Sequence, residues 1–399
     1  MTHSEAMGDG DGPCPLMANY GAPPVLFERG QGTELWDRDG RRYLDFLTGL
    51  AVVSLGHSHP VVAAAVAEQA SKLQHTSNLF ANEHQAPVAR TLDALITGTP
   101  GPGPRHGQVL FQNSGAEANE AALKLARKYQ GRGRHVVVSA FRSFHGRTLA
   151  TLAATGQPEK HEPFQPLPEG FRHATWNDVD EFAAALDPTV GAILLEPLQG
   201  EGGVNPASPE FFAGIRSLCD DRGILLILDE VQCGLGRTGE WFGFQHFGIE
   251  PDIVTTAKAL GNGMPVAAVW ARADVAAAFK PGDHGSTFAG QPLALAAARA
   301  TLEVMQEIDA PALARSTGAA LADGLSTLAR VNSVRGLGLL LAVELDRPVA
   351  KSVGAACLDA GLIVNALGDT SIRVAPPLNV SSAHVAEALA ILGTALEES

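Results

Sequence analysis

The sequence has little cysteine, no clustered positive charge and no long apolar run. Its four cysteines, Cys14, Cys219, Cys233 and Cys357, lie far apart with no paired spacing. That argues against a disulfide framework or a zinc knuckle and suits a reduced, cytoplasmic chain. Lysine and arginine number 29 against 43 aspartates and glutamates, a net charge of −14. Nucleic acid and anionic membrane surfaces both need clustered cations, so neither is an expected partner. No apolar stretch approaches the roughly 20 residues of a spanning helix. The acidic, Gly/Pro-rich start MTHSEAMGDGDGPCP has no apolar signal core. Neither a Walker P-loop nor a GxGxxG turn is present, which disfavours a nucleotide.

What is there is ordinary globular material. The chain has 399 residues, 45% hydrophobic and 18% charged, enough for about two domains. Residues 1–16 read as a disordered tail. Asp39-Gly40 between apolar runs marks a hairpin, and residues 60–73 read as a helix. From about residue 105 strands and helices alternate. Strands are expected at 109–111, 135–141, 191–197, 223–230, 251–258 and 265–271, with a strong helix following Gly115. Continuous apolar runs of this kind belong to strands buried on both faces, so the reading is α/β with a mostly parallel sheet. Residues 292–330 are helix-rich, and 336–345 and 362–367 read as strands of a smaller lobe. Residues 101–107 and much of 157–170 read as loops.

Ligands of an open parallel sheet bind beyond the carboxyl ends of its strands. Four such ends carry reactive or anion-binding groups. Ser114-Gly115-Ala116 is a small-residue turn opening a helix, either a phosphate cup or an ordinary tight turn. Asp229 ends a nearly all-apolar strand and needs a cationic or hydrogen-bonded partner. Lys258 lies between a buried strand and the turn Leu260-Gly261-Asn262-Gly263, a setting that lowers an amine's pKa. Glu196 ends a further strand and reads equally as catalytic or supporting. Phosphate cup, carboxylate and lysine in that order suit pyridoxal phosphate, which needs a site for its phosphate, an anion for its ring nitrogen and an amine for its aldehyde.

Other residues have blander readings. His57 and His59 lack a third ligand nearby, so no metal is expected. Cys233 reads as a structural small residue. Glu230 alternates away from Asp229 along the strand and reads as structural.

These residues sit in longer motifs: SNLFANE, NSGAEANEAALKLARKY, SFHGRTLAT, EPLQGEGGV, LDEVQCGLGRTG, PDIVTTAKALGNGMP and GSTFAGQPLA. In this order, from about Asn19 to Ser382, they resemble the class III pyridoxal-phosphate-dependent aminotransferases of fold type I, and within them the acetylornithine branch. The resemblance implies a large domain (61–290) with a mostly parallel seven-stranded sheet and a small α/β domain built from 17–60 and 291–399. It implies that Lys258 would bond the cofactor aldehyde, Asp229 would pair with its ring nitrogen and Gln232 would reach its phenolic oxygen. Ser114, Gly115 and Ala116 would hold the phosphate, with Thr287 supplied by the other subunit of a homodimer. Phe144 would stack on the ring, and His145 would line the site. Arg147 would bind the carboxylate of N-acetylornithine. Glu201 would cover Arg373 until 2-oxoglutarate displaces it, and Asn78 would be a further substrate contact. Ornithine, 4-aminobutyrate, succinyl-diaminopimelate and diamines remain alternative donors. Two departures stand out: Asn262 interrupts a run of glycines, and Ala289-Gly290-Gln291-Pro292 replaces a Gly-Gly-Asn-Pro pattern.

Overall fold

The computed structural model describes residues 16–99 and 106–399. The expected N-terminal tail and most of the 101–107 loop fall outside them. The centre is a seven-stranded sheet in the order Gly107–Gln112, Ala267–Arg272, Ile253–Thr256, Leu225–Asp229, Val190–Leu195, Val136–Ala140 and Phe171–Ala174. Only Ala267–Arg272 runs against the others.

The apolar runs become strands because both faces of the sheet are covered. Val137, Leu194, Leu225, Ile227 and Ile253 point to one side, into a cluster with Ala118, Ala122 and Leu125 of the helix Gly115–Gln130. Their neighbours Val138, Ile193, Leu226, Leu228 and Val254 point to the other, into the largest core cluster. That alternation is the period-two geometry of a strand. Each such side chain, fully buried, contributes roughly 1.5–3 kcal/mol.

The two ends of the chain meet. Glu34–Asp37 and Arg42–Asp45 form the expected hairpin, with Gly40 at φ 80° and the Asp37 carboxylate accepting the N–H groups of Asp39 and Arg41. Leu362–Ile363 then adds to Arg42–Asp45 in parallel. Buried Arg237 clasps three segments together, donating to the carbonyls of Leu339 and Pro376 and to Ser54 Oγ.

Three elements differ from the sequence reading. The apolar run 336–345 is two antiparallel strands, Val331–Leu337 and Leu340–Leu345, folded back at Gly338 with φ 54°. The run 362–367 is divided between two sheets, Leu362–Ile363 in one and Asn365–Leu367 in another. Within 157–170 the chain forms a short helix at Pro158–His161. Among the described residues no helix is long and apolar enough to cross a membrane.

Candidate active site

Because their strands are parallel, Gln112, Leu195, Asp229 and Thr256 all end on one edge of the sheet. The residues just beyond them line a cavity of about 420 Å³, among them Ser114, Glu196, Asp229 and Lys258.

One end of the cavity is a helix start. Ser114 caps Gly115–Gln130, its Oγ accepting the Glu117 N–H at 3.2 Å. Glu117 reaches back to the Asn113 backbone N–H and side-chain amide at 2.8 and 2.7 Å. The first N–H groups of a helix have no partner within it and carry its positive end, so this turn is built to meet an anion. Gly115 is required here, since a Cβ on it would lie 2.9 Å from Val231 Cγ1.

The opposite wall holds Asp229. Its Oδ2 accepts hydrogen bonds from Asn119 Nδ2 at 2.7 Å and His145 Nδ1 at 2.9 Å, and its Oδ1 accepts the Val231 N–H at 3.1 Å. Three donors fix the carboxylate and hold it ready for a cationic partner. Asn119 also donates to the His145 carbonyl and accepts from Thr255 Oγ1 at 2.8 Å. The sequence reading missed Asn119; the signal was a lone amide three residues before Ala122 on an otherwise apolar helix stripe.

Lys258 sits two residues past its strand with φ 40°, a region that non-glycine residues rarely occupy and that strain at functional sites can explain. Burial pulls its ammonium below the ordinary lysine range, with Glu201 opposing and Arg373 assisting. Gln232 lies over Gly200, where a Cβ would fall 1.6 Å from Gln232 Oε1. Phe144 forms a side of the cavity; its N–H donates to Glu196 Oε2 at 3.2 Å, and the Arg147 guanidinium stands 5.5 Å from its ring centroid. Glu196 is buried, and burial together with the Asp229 charge raises its pKa well above the carboxylate range.

Arg373 comes from the strand Ser371–Val374 and is almost wholly buried. Its Nη1 donates to Glu201 Oε1 at 2.6 Å and its Nη2 to Asn365 Oδ1 at 2.8 Å. Burial pushes the Glu201 carboxyl up, but the charge and hydrogen bond of Arg373 bring it below its usual value. Asn365 is a second partner that sequence reasoning missed, visible only as one polar residue in an apolar run.

Arg373 does not line the cavity itself and meets it through Glu201, and two further expected residues lie elsewhere. Asn78 is occupied within its own chain, donating to the Ala289 carbonyl at 2.8 Å and accepting from Gln85 at 3.1 Å. Thr287 is exposed, next to Phe288. Neither lines the cavity. Glu230, read as structural, accepts the N–H groups of Gly243 and Phe244, both at 2.8 Å. His57 meets Asp45 at 2.7 Å.

An anion cup, a fixed carboxylate, a buried amine and an aromatic wall around one cavity fit a phosphorylated aromatic aldehyde. Over residues 16–396 the sequence matches the family model described as aminotransferase class-III. It is 48% identical over 392 residues to an acetylornithine aminotransferase of Gloeobacter violaceus, covering 94% of each chain. It is 46% identical to that of Corynebacterium efficiens, covering 97% of this chain and 96% of that one. Among solved structures it is similar to the ornithine aminotransferase of Toxoplasma gondii, with TM-score 0.89, 34% identity and coverage of 96% and 93%. A second structure of that enzyme, with TM-score 0.88, 34% identity and coverage of 96% and 92%, has pyridoxal phosphate partly occupying its active site. The chain belongs to the class-III aminotransferases, enzymes that work with pyridoxal 5′-phosphate.

Proposed function

We propose that the enzyme transfers the terminal amino group of N-acetylornithine to 2-oxoglutarate, giving N-acetylglutamate 5-semialdehyde and glutamate, as a step of arginine synthesis. The observation that carries this reading is the Arg373–Glu201 pair beside Lys258. A buried guanidinium covered by a movable carboxylate suits two substrates in turn. With Glu201 in place the site accepts a neutral or amine-bearing chain. With Glu201 withdrawn, Arg373 can take a carboxylate, and its buried Nε, which has no partner among the described residues, is a further donor for it. A planar guanidinium suits a carboxylate better than a lysine would. Arg147, at the far side of the ring wall, would take the other carboxylate of each substrate.

When bound, pyridoxal phosphate supplies an aldehyde for amines and a ring that takes up the electrons left when a C–H proton departs. Lys258 Nζ would hold it covalently in the resting enzyme. The helix start at Ser114, Gly115 and Ala116 would hold its phosphate. Asp229, braced by Asn119 and His145, would keep a proton on the ring nitrogen. Gln232 would donate to the phenolic oxygen, and Phe144 would cover one ring face. Once released by substrate, Lys258 Nζ would carry the proton from the donor carbon, its burial favouring the uncharged amine.

A homodimer is part of this reading. Leu79, Phe80 and Phe288 are 86%, 68% and 64% exposed, a concentration of apolar surface beside Asn78 and Thr287. Covering it with a second copy would bring Thr287 to the partner's phosphate cup. A reduced cytoplasmic setting fits the unpaired, buried thiols of Cys219, Cys233 and Cys357.

The test is glutamate formation by the purified holoenzyme with 2-oxoglutarate fixed and the donor varied. N-acetylornithine should give the highest kcat/KM. Similarity to ornithine aminotransferases makes ornithine the main rival, and a higher kcat/KM with ornithine would replace this reading. Sedimentation should give a dimer; a fully active monomer would remove Thr287 from the site.

A further inference from the structure

A second cavity of about 680 Å³ lies against the first, and Glu201 lines both. Its walls include Arg142, Arg335, Glu344 and Asp369. Three of these charges are already matched. Arg335 Nη1 donates to Glu344 at 2.8 Å, its Nη2 to Ser371 Oγ at 3.0 Å and its Nε to the Gly203 carbonyl at 2.8 Å. Asp369 pairs with Lys351 at 2.9 Å. The Arg142 guanidinium has no ion pair or side-chain hydrogen bond among the described residues.

Arg142 is also held in an unusual way. Its backbone φ is 66°, and its N–H donates to the Gly156 carbonyl at 2.6 Å. From there its side chain reaches Gly203, two residues from Glu201. A Cβ on Gly203 would lie 3.5 Å from Arg142 Nη2, 3.5 Å from Arg335 Nη2 and 3.1 Å from Asn205 Nδ2. Three side-chain nitrogens therefore converge beside Gly203; Arg335 Nη2 is engaged by Ser371 Oγ and Asn205 Nδ2 by the Gly202 carbonyl at 2.9 Å, which leaves the Arg142 guanidinium as the unmatched donor group. A carboxylate that leaves Arg373 loses an ion pair, and leaving it in an apolar wall would be costly. This pocket, which Glu201 itself lines, offers a polar alternative with one unmatched cation, Arg142.

We infer that the second cavity is the receiving site for Glu201: when a dicarboxylate takes Arg373, the Glu201 carboxylate turns into this cavity and is held by Arg142, with the Asn205 amide beside it. The inference rests on the Glu201–Arg373 reading above. Arg142 is then a positioning residue for dicarboxylate binding, acting only through Glu201. It stabilises the displaced state of Glu201 and leaves the donor-binding state alone.

The test is the dissociation constant of glutarate, an unreactive five-carbon dicarboxylate, for the pyridoxal-phosphate holoenzyme. Arg142→Gln should weaken glutarate about 5- to 10-fold, the loss of one charge-assisted contact. The KM of the amine-donor half-reaction should not change, and Arg142→Lys should recover part of the loss. In a Glu201→Gln background, Arg142→Gln should have no effect on glutarate. An unchanged glutarate constant in Arg142→Gln overturns the receiving site. So does an equal weakening in the Glu201→Gln background, since Arg142 would then act on the ligand itself. Glu201→Gln alone reports on the underlying switch and should tighten glutarate; if it does not, the switch reading fails whatever Arg142 does.

Discussion

Asn119 and Asp229, 110 residues apart in sequence, are joined by a 2.7 Å hydrogen bond inside the sheet–helix interface. The bond makes the helix that begins at the proposed phosphate cup also the brace of the carboxylate proposed to face the ring nitrogen. On that proposal one rigid element would set the distance between two anchors of the cofactor. Asn119→Ala should remove one of the Asp229 donors and leave Thr255 Oγ1 and the His145 carbonyl without their amide partner. A hydrogen bond to a charged group is worth about 1.5–3 kcal/mol, so cofactor affinity should fall about 10- to 100-fold. Asn119→Asp should be worse, since it places a like charge beside Asp229. Spectral titration of the apoenzyme with pyridoxal phosphate measures this. Unchanged affinity in Asn119→Ala would show that His145 and the Val231 N–H suffice.

Asn262 stands between Gly261 and Gly263 just after Lys258, and the structure gives its side chain two backbone partners. It occupies φ 44°, which asparagine tolerates better than most residues. Its Oδ1 accepts the Leu55 N–H at 2.8 Å and its Nδ2 donates to the Gly56 carbonyl at 3.1 Å. The amide therefore ties the N-terminal segment to the turn that carries Lys258. Asn262→Gly keeps the backbone relaxed but loses both bonds, for about 1–2 kcal/mol. Asn262→Ala loses the bonds and adds left-handed strain, for about 1 kcal/mol more. Thermal melts should rank Asn above Gly above Ala. Gly equal to or above Asn would mean the side-chain bonds contribute nothing net.

These two residues also mark the limits of what sequence could tell. The central strands were legible because burial on both faces leaves an unbroken apolar run, and the site edge followed from where those runs stop. Length was harder. Residues 336–345 look like one strand because a tight turn at Gly338 joins the Gly336-Leu337 end of one strand to the mostly apolar strand Leu340–Leu345. Residues 362–367 divide between sheets because the first half pairs with Leu44 and Asp45, far away in the chain, while the second folds into a hairpin with Ser371–Val374. Phe171–Ala174 and Ser371–Val374 carry Arg172, His173 and Arg373, so four-residue strands with charged members gave no periodic signal. Asn119 and Asn365 bond to groups that only folding brings near. The surface around Asn78 and Thr287 is proposed to meet a second copy of the chain, and its exposed Leu79, Phe80 and Phe288 become one patch only in the folded chain.

Gly200 is needed for the position of Gln232 rather than for its own backbone. A Cβ there would meet the end of the Gln232 side chain, which can swing away at little cost to the fold. Gly200→Ala should therefore leave thermal stability within about 1 kcal/mol. It should nevertheless displace the Gln232 amide from the cavity, reproducing the cofactor affinity and absorption spectrum of Gln232→Ala. In a Gln232→Ala background, Gly200→Ala should add almost nothing, as for two changes that remove one interaction. Additive losses would mean that Gly200 serves some other contact.

His173 should make the fold sensitive to acid. Burial, and after it the His161 ring 5.8 Å away, lower its pKa to about 4 against the opposing carbonyls of Ala154 and Ala153. The ring of Phe141 stands 5.6 Å off on another side, and His145 adds a small repulsion. In the unfolded chain a histidine titrates near pH 6.5. Between about pH 6.5 and 4 the unfolded state therefore binds a proton that the folded state refuses, so stability is full above pH 6.5 and falls as pH drops through that window. One full proton corresponds to a slope of about 1.4 kcal/mol per pH unit. His173→Asn removes the titrating ring, so the variant should be less stable at pH 7.5 yet lose less on acidification. Denaturant melts of both proteins from pH 7.5 to 4.5 measure the difference in slope. Parallel curves would show that His173 is as protonated in the folded enzyme as in the unfolded chain.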